Sequence, residues 1–138
     1  MNNKQIESEI QAKGLTASRV TPADIEANIA SEHYFSAWDG VNGAMSAGNL
    51  TQSHHEYDTL TQPAPASTPY EAMRLLTFCI FVLRNGFTVT GESACASPEN
   101  FDAELGRKIA RQNAINKMWP LLGYELKQRL YEQQNPPA

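Results

Sequence analysis

Apolar positions recur at helical spacing in several parts of the chain. An apolar run, "LLTFCIFVL" from Leu75 to Leu83, interrupted only by Thr77, sits near the middle. Three segments share a start signal: "TPADIEANI" at Thr21, "TPYEAMRLL" at Thr68 and "SPENFDAEL" at Ser97. Thr or Ser followed by Pro and early acids gives an N-cap, a proline in the first turn, and carboxylates at the positive end of a helix. "TPYE" is also a capping box, with Thr68 and Glu71 three apart. The pattern predicts helices over 22–36, 69–84 and 98–118. Another, 3–13, is closed by Gly14, and a last one, 121–133, follows Pro120 and frays into a tail at 134–138.

"CIFVLRNGFTVTG" can be read in two ways. Asn85-Gly86 between β-rich runs is a hairpin signal, yet a glycine there can equally close a helix over 69–84. The capping box and the length favour the helix, which is apolar all round and so would be buried. On either reading "FTVT" is extended, with Phe87 and Val89 on one side and Thr88 and Thr90 on the other. From Asp39 to Ser67 no period is visible, and Gly, Ser, Thr, Pro and Asn predominate, so residues 40–67 are expected to be a long loop or linker. The expectation is one mainly α domain spanning 1–138, with one short extended segment or hairpin around 80–91.

Composition narrows the function classes. With 138 residues, 41% apolar and 19% charged, the chain can build a single core. No apolar run is long enough to cross a membrane, and "MNNKQIESEI" lacks the features of a signal peptide. The formal net charge is −4. Residues 1–67 carry three basic groups against eight acidic, or −5, and residues 68–138 eight against seven, or +1. Neither half is basic enough to track a nucleic-acid backbone, so no nucleic-acid polymer is expected as partner. Cys79 and Cys95 make no metal or disulfide pattern.

Several motifs invite chemistry and do not support it. "GFTVTGES" has the outline of a phosphate-binding P-loop, but Glu92 stands where the lysine belongs. Thr88, Val89 and Thr90 are β-branched where a phosphate nest needs glycine-like backbone. "SHHEYD" gathers His54, His55, Glu56 and Asp58, with His33 and Asp39 upstream, yet without a ligand spacing such as H-E-x-x-H; no metal is expected. Ser93 or Cys95 could be a nucleophile only beside a histidine that nothing in the sequence places there, so neither an enzyme nor a cofactor is expected. On a helical wheel Phe101, Leu105, Ile115 and Trp119 form a stripe that also carries Lys108 and Gln112. Such polar groups must snorkel, pair, or face a partner or ligand. "EHYFSAWDG" collects Tyr34, Phe35 and Trp38 as an aromatic lid or stacking surface.

The words "LRNGFTVTGESACASPENFD", "GRKIARQNA" and "WPLLGYEL", within Leu75 to Leu130, resemble a family of small tailed-phage proteins. That family is named for the gene 49 product of a coliphage and the gene 66 product of a Shigella phage; "TPADIEANIASEHYFSAWDGV" fits its start. The resemblance implies a phage accessory protein in the cytoplasm of an infected bacterium, with no catalytic residues to carry over. It favours a non-enzymatic factor that counters a host defence, working as a small homo-oligomer and sequestering a nucleotide signal. The alternatives are a protein-binding inhibitor directed at a host defence protein, or a minor structural or assembly protein. The residues expected to bind are Arg84, then Thr88, Thr90 and Ser93 as hydroxyls, Lys108 with Gln112, and Trp38 as a stacking face.

Overall fold

A computed structural model describes residues 2–15, 17–53 and 69–137. Its elements are α1 (Asn3–Ala12), α2 (Pro22–Asn28), β1 (Ile29–Ser36), α3 (Ala37–Ser46), α4 (Pro69–Arg74), β2 (Leu76–Leu83), β3 (Thr88–Ala94) and α5 (Ala103–Gln134), with a 3-10 turn at Pro98–Asn100. The three strands form an antiparallel sheet in the order β1-β2-β3, and α5 lies across one face of it. The fold is therefore α+β, not mainly α. The run 69–84 is a short helix followed by β2, and Asn85-Gly86 turns a hairpin. Gly86 takes φ +90, the left-handed region open to glycine. Leu83 N–H donates to Phe87 O at 2.8 Å and Gly86 N–H to Leu83 O at 2.9 Å.

The helix expected over 22–36 stops at Asn28, and "IASEHYFS" is β1. Thr21 does cap α2, in a reciprocal box with Asp24. Ser36 and Asp39 form a second such box and start α3 at Ala37, which runs to Ser46 and so makes helix of the first part of the expected loop 40–67. Thr68, the expected cap of α4, lies outside the described residues, as do His54, His55, Glu56 and Asp58. The helix expected from Pro98 begins instead at Ala103. Ser97 makes no side-chain cap, whereas Asp102 accepts from Leu105 N–H at 3.1 Å. It then runs through Pro120 without a break. Proline removes one bond to the carbonyl four residues earlier; Asn116 and Pro120 are both exposed, so water can take that carbonyl.

Register decides which residues enter the core. Thr77, Cys79, Phe81 and Leu83 of β2 are buried beneath α5 together with Val89 and Gly91 of β3. The alternate positions Leu76, Phe78, Ile80 and Val82 stand half-buried on the other face, where Phe78 meets Phe35 at 5.7 Å between ring centroids and Gly40 of α3 lies against the Phe35 ring. The α5 line that enters the core is Gly106, Ala110, Ala114, Met118 and Leu122, repeating every fourth residue. Of the stripe expected from the sequence, Ile115 is buried and Trp119 packs against the core, while Phe101 and Leu105 stand outside it. Small residues line the contact because the helix comes very near the sheet. A Cβ on Gly91 would fall 2.1 Å from Ala110 O and 2.4 Å from Ala114 N.

Candidate functional site

Arg84 is held where the β2–β3 turn meets the end of α2. Its backbone N–H donates to Asn28 O at 3.0 Å and its Nε to Ala27 O at 3.2 Å. A cation beside the last carbonyls of a helix is well placed electrostatically. Among the described residues Arg84 makes no ion pair, and it lines a cleft of about 510 Å³ between α2, the turn and the second half of α5. Arg19 and Arg129 line the same cleft, and Val20, Leu122 and Leu126 supply apolar wall.

The cleft is not uniformly basic, since Asp24 and Glu125 also line it. Arg129 pairs with Glu125 one helical turn away at 2.7 Å, with both side chains more than half exposed. Such a pair contributes little and opens readily. Arg19 is held more firmly, by two bonds to Glu7 of α1 at 2.7 and 2.6 Å. Arg19 beside Glu7 holds that carboxyl down at about 2, while Glu7 in turn raises Arg19. Arg84 is thus the pre-positioned cation, Arg19 a guanidinium already neutralised by Glu7, and Arg129 a cation that can exchange Glu125 for another anion.

A second ion cluster is structural. Arg111 of α5 makes two bonds to Glu26 of α2, at 3.0 and 2.7 Å, and one to Glu32 of β1 at 2.8 Å, with its guanidinium 5.6 Å from the centroid of Phe81. Arg111 holds the Glu32 carboxyl below its ordinary range, and the two carboxylates raise Arg111. Tyr34 donates to Glu32 at 2.7 Å, and burial foremost pushes its phenol up.

The other residues singled out in the sequence lie on different parts of the surface. Thr88 and Thr90 flank a groove between β3 and α5, whereas Ser93, of opposite parity, lines a smaller cleft with Leu105 and Ile109. Lys108 is exposed and pairs with Glu104 at 3.3 Å; Gln112 donates to Asn116 at 2.9 Å. Trp38 packs on Tyr70 at 4.8 Å between centroids, with the Arg74 guanidinium 5.4 Å from its ring. No single pocket unites these seven. Arg19 and Arg129 escaped the sequence reading because only the docking of the hairpin against α2 brings them to Arg84.

Among the described residues, Cys79 and His33 lie on opposite faces of the sheet. Cys79 is fully buried, and burial pushes its thiol up. His33 pairs in register with Ile80, so its ring stands on the sheet face opposite Cys79, 3.0 Å from Ser31 Oγ. Among the described residues no three His, Cys, Asp or Glu side chains are grouped to hold a metal ion, and no helix is long and apolar enough to cross a membrane.

Residues 20–130 match the sequence model of the phage protein family described as N4 Gp49/phage Sf6 gene 66. The chain belongs to this phage family. No curated protein and no solved structure matches it. The match begins at Val20, so α1 and its Glu7 clamp lie before the family region. It takes in the α2–β1 unit, the hairpin with Arg84, and α5 as far as Leu130, and thus two of the three cleft arginines, Arg84 and Arg129.

Proposed function

We propose that this phage accessory protein works by binding, not by catalysis, and sequesters a small phosphate-bearing signal of a host defence in the cytoplasm of the infected bacterium. The observation that carries the reading is Arg84. It is anchored through Nε to the α2 carbonyl end, free of any ion pair among the described residues, and lines a cleft with two further arginines that are each paired to a carboxylate. Guanidinium groups recognise phosphate oxygens through paired donors. The wall of Val20, Leu122 and Leu126 offers an apolar surface for a base, and about 510 Å³ lies within the usual range of small-ligand sites. An incoming phosphate takes Arg84 first and draws Arg129 away from Glu125.

The test is thermal denaturation of the full chain with cyclic mononucleotides, cyclic dinucleotides and ADP-ribose derivatives. A ligand at about one hundred times its Kd stabilises by about 2.7 kcal/mol, a rise of roughly 5–20 °C for a domain of this size. Arg84→Ala should fold and lose most of that rise, since a hydrogen bond to a charged group contributes about 1.5–3 kcal/mol. If no member of the panel moves the melting temperature, or if Arg84→Ala responds like the parent, the reading fails.

A further inference from the structure

The edge of β3 and the neighbouring flank of α5 form a surface of a particular kind. The bonds Leu83 N–H to Phe87 O and Cys95 N–H to Leu75 O show that the odd-numbered residues of β3 bond inward to β2. The alternation of an antiparallel ladder then turns the N–H and C=O groups of Thr88, Thr90, Glu92 and Ala94 outward. Among the described residues only Glu92 O has a partner there, Asn113 Nδ2 at 2.8 Å. An open edge of this length is a template for another strand unless it is guarded. The edge of β1, by contrast, is broken by an irregularity between Ile29 and Ser31.

The flank of α5 beside this edge is made of the residues that just precede the buried line: Leu105, Ile109, Asn113, Lys117 and Leu121. Of the ten large hydrophobic side chains exposed among the described residues, six gather here: Phe87, Phe101, Leu105, Ile109, Leu121 and Tyr124. They fall into two groups. Phe101, Leu105 and Ile109 line a cleft at one end of β3; Phe87, Leu121 and Tyr124 line a groove of about 550 Å³ at the other. Between them lies a polar centre of Asn113, Thr90, and Glu92 with Lys117 at 3.8 Å.

We infer that this seam is the interface with a second copy of the same chain. The order apolar, polar, apolar maps onto itself under a two-fold axis near Asn113 on the helix and Gly91 on the strand. Leu105 of one copy then meets Leu121 of the other, the polar centres meet each other, and Glu92 and Lys117 each face an opposite charge across the axis. A self-complementary patch is what an isologous dimer requires, whereas an unrelated partner has no need of that symmetry. The two β3 strands pair antiparallel into one continuous sheet of six strands, with the two α5 helices side by side. Leu105 to Leu121 spans roughly 24 Å of helix at 1.5 Å per residue, long enough for two α5 turns on each side of the axis.

Sedimentation or light scattering of the full chain across micromolar concentrations reads the assembly directly. The expected result is a dimer that Leu121→Glu or Ile109→Glu weakens at least about one hundredfold, since each places an unpaired charge in the apolar part of the seam. Both side chains are already substantially exposed, so circular dichroism should show an unchanged fold. Asn113→Cys, near the axis, should cross-link to its own copy with a short bismaleimide, while the parent chain with Cys79 and half-buried Cys95 should not. A parent chain that stays monomeric at about 100 μM, a Kd weaker than roughly −5.5 kcal/mol, overturns the inference. So does a dimer that survives both charged substitutions, or an Asn113→Cys chain that cross-links no better than the parent.

Discussion

Gly91→Ala should be among the most damaging single-methyl changes available to this protein. The added Cβ would stand 2.1 Å from Ala110 O, 2.4 Å from Ala114 N and 3.0 Å from Ala114 Cα, all backbone atoms that no rotamer can move. Restoring the 3.4 Å of ordinary contact requires α5 to withdraw by about 1.3 Å, the difference between 3.4 and 2.1 Å. A gap of 0.5–1 Å already forfeits roughly a quarter to a half of a dispersion well. Four large side chains sit at this interface, Phe81, Ile115, Met118 and Leu122, each 9% exposed or less. At about 2 kcal/mol apiece their burial totals about 8 kcal/mol, so the withdrawal costs about 2–4 kcal/mol. Residual strain adds to that, and the lower entropy of an unfolded alanine chain returns at most about 1 kcal/mol. The net loss should be about 3 kcal/mol, a large part of the 5–15 kcal/mol that holds a typical domain. Urea denaturation followed by circular dichroism measures it. Gly123→Ala is the control: it lies in α5 with nothing within 4 Å of its added Cβ, and should stabilise by about 0.5–1 kcal/mol. A Gly91→Ala protein within about 1 kcal/mol of the parent would refute the close-contact account of the fold.

Two further outcomes follow from the ion clusters. Arg111→Lys cannot reproduce the bonds to Glu26 and Glu32, and should cost about 1–2 kcal/mol in urea denaturation; no measurable loss would show the cluster to be incidental. Glu7 is lowered from 4.5 to about 2 by Arg19, so the contribution of this pair is fully present above about 4.5 and is lost as the pH falls through about 2. Carboxyl NMR should place the Glu7 midpoint near 2 in the parent and return it toward 4.5 in Arg19→Ala; a parent midpoint near 4.5 would contradict the bidentate contact.

What was legible in the sequence was chiefly local. The Thr21 N-cap followed by Pro22 acts among sequence neighbours before any tertiary contact forms, and the extended "FTVT" was likewise legible, whereas Gly86, favoured as the end of a helix, turns a hairpin instead. The strand β2 was hidden because its outward face, Leu76, Phe78, Ile80 and Val82, is itself half-buried and apolar, which erases the period-two alternation. Its wealth of aromatic and β-branched residues was the signal that remained, and it was outweighed by the capping box at Thr68. In β1 the alternation is interrupted by the irregularity near Ser31. The buried line of α5 was missed for a different reason. A search for large apolar side chains passes over Gly106, Ala110 and Ala114, yet the close approach to Gly91 admits nothing larger.

That close approach also shapes the surface. By seating α5 directly over β3, the Gly91 contact brings the helix flank alongside an open strand edge, and this makes the seam. Two turns farther along, the same helix delivers Leu122, Leu126 and Arg129 to the cleft around Arg84. Leu121 and Leu122 are neighbours in sequence but about 100° apart on the helix, so one faces the seam and the other the cleft. The cleft and the two grooves of the seam share no residue. Pairing of two copies through β3 therefore leaves both clefts open to solvent, at the outer ends of the joined helices. The two proposals are therefore separable by experiment: Leu121→Glu should act on dimer formation alone, Arg84→Ala on the ligand response alone, and Gly91→Ala, which moves the helix that builds both surfaces, on the two together.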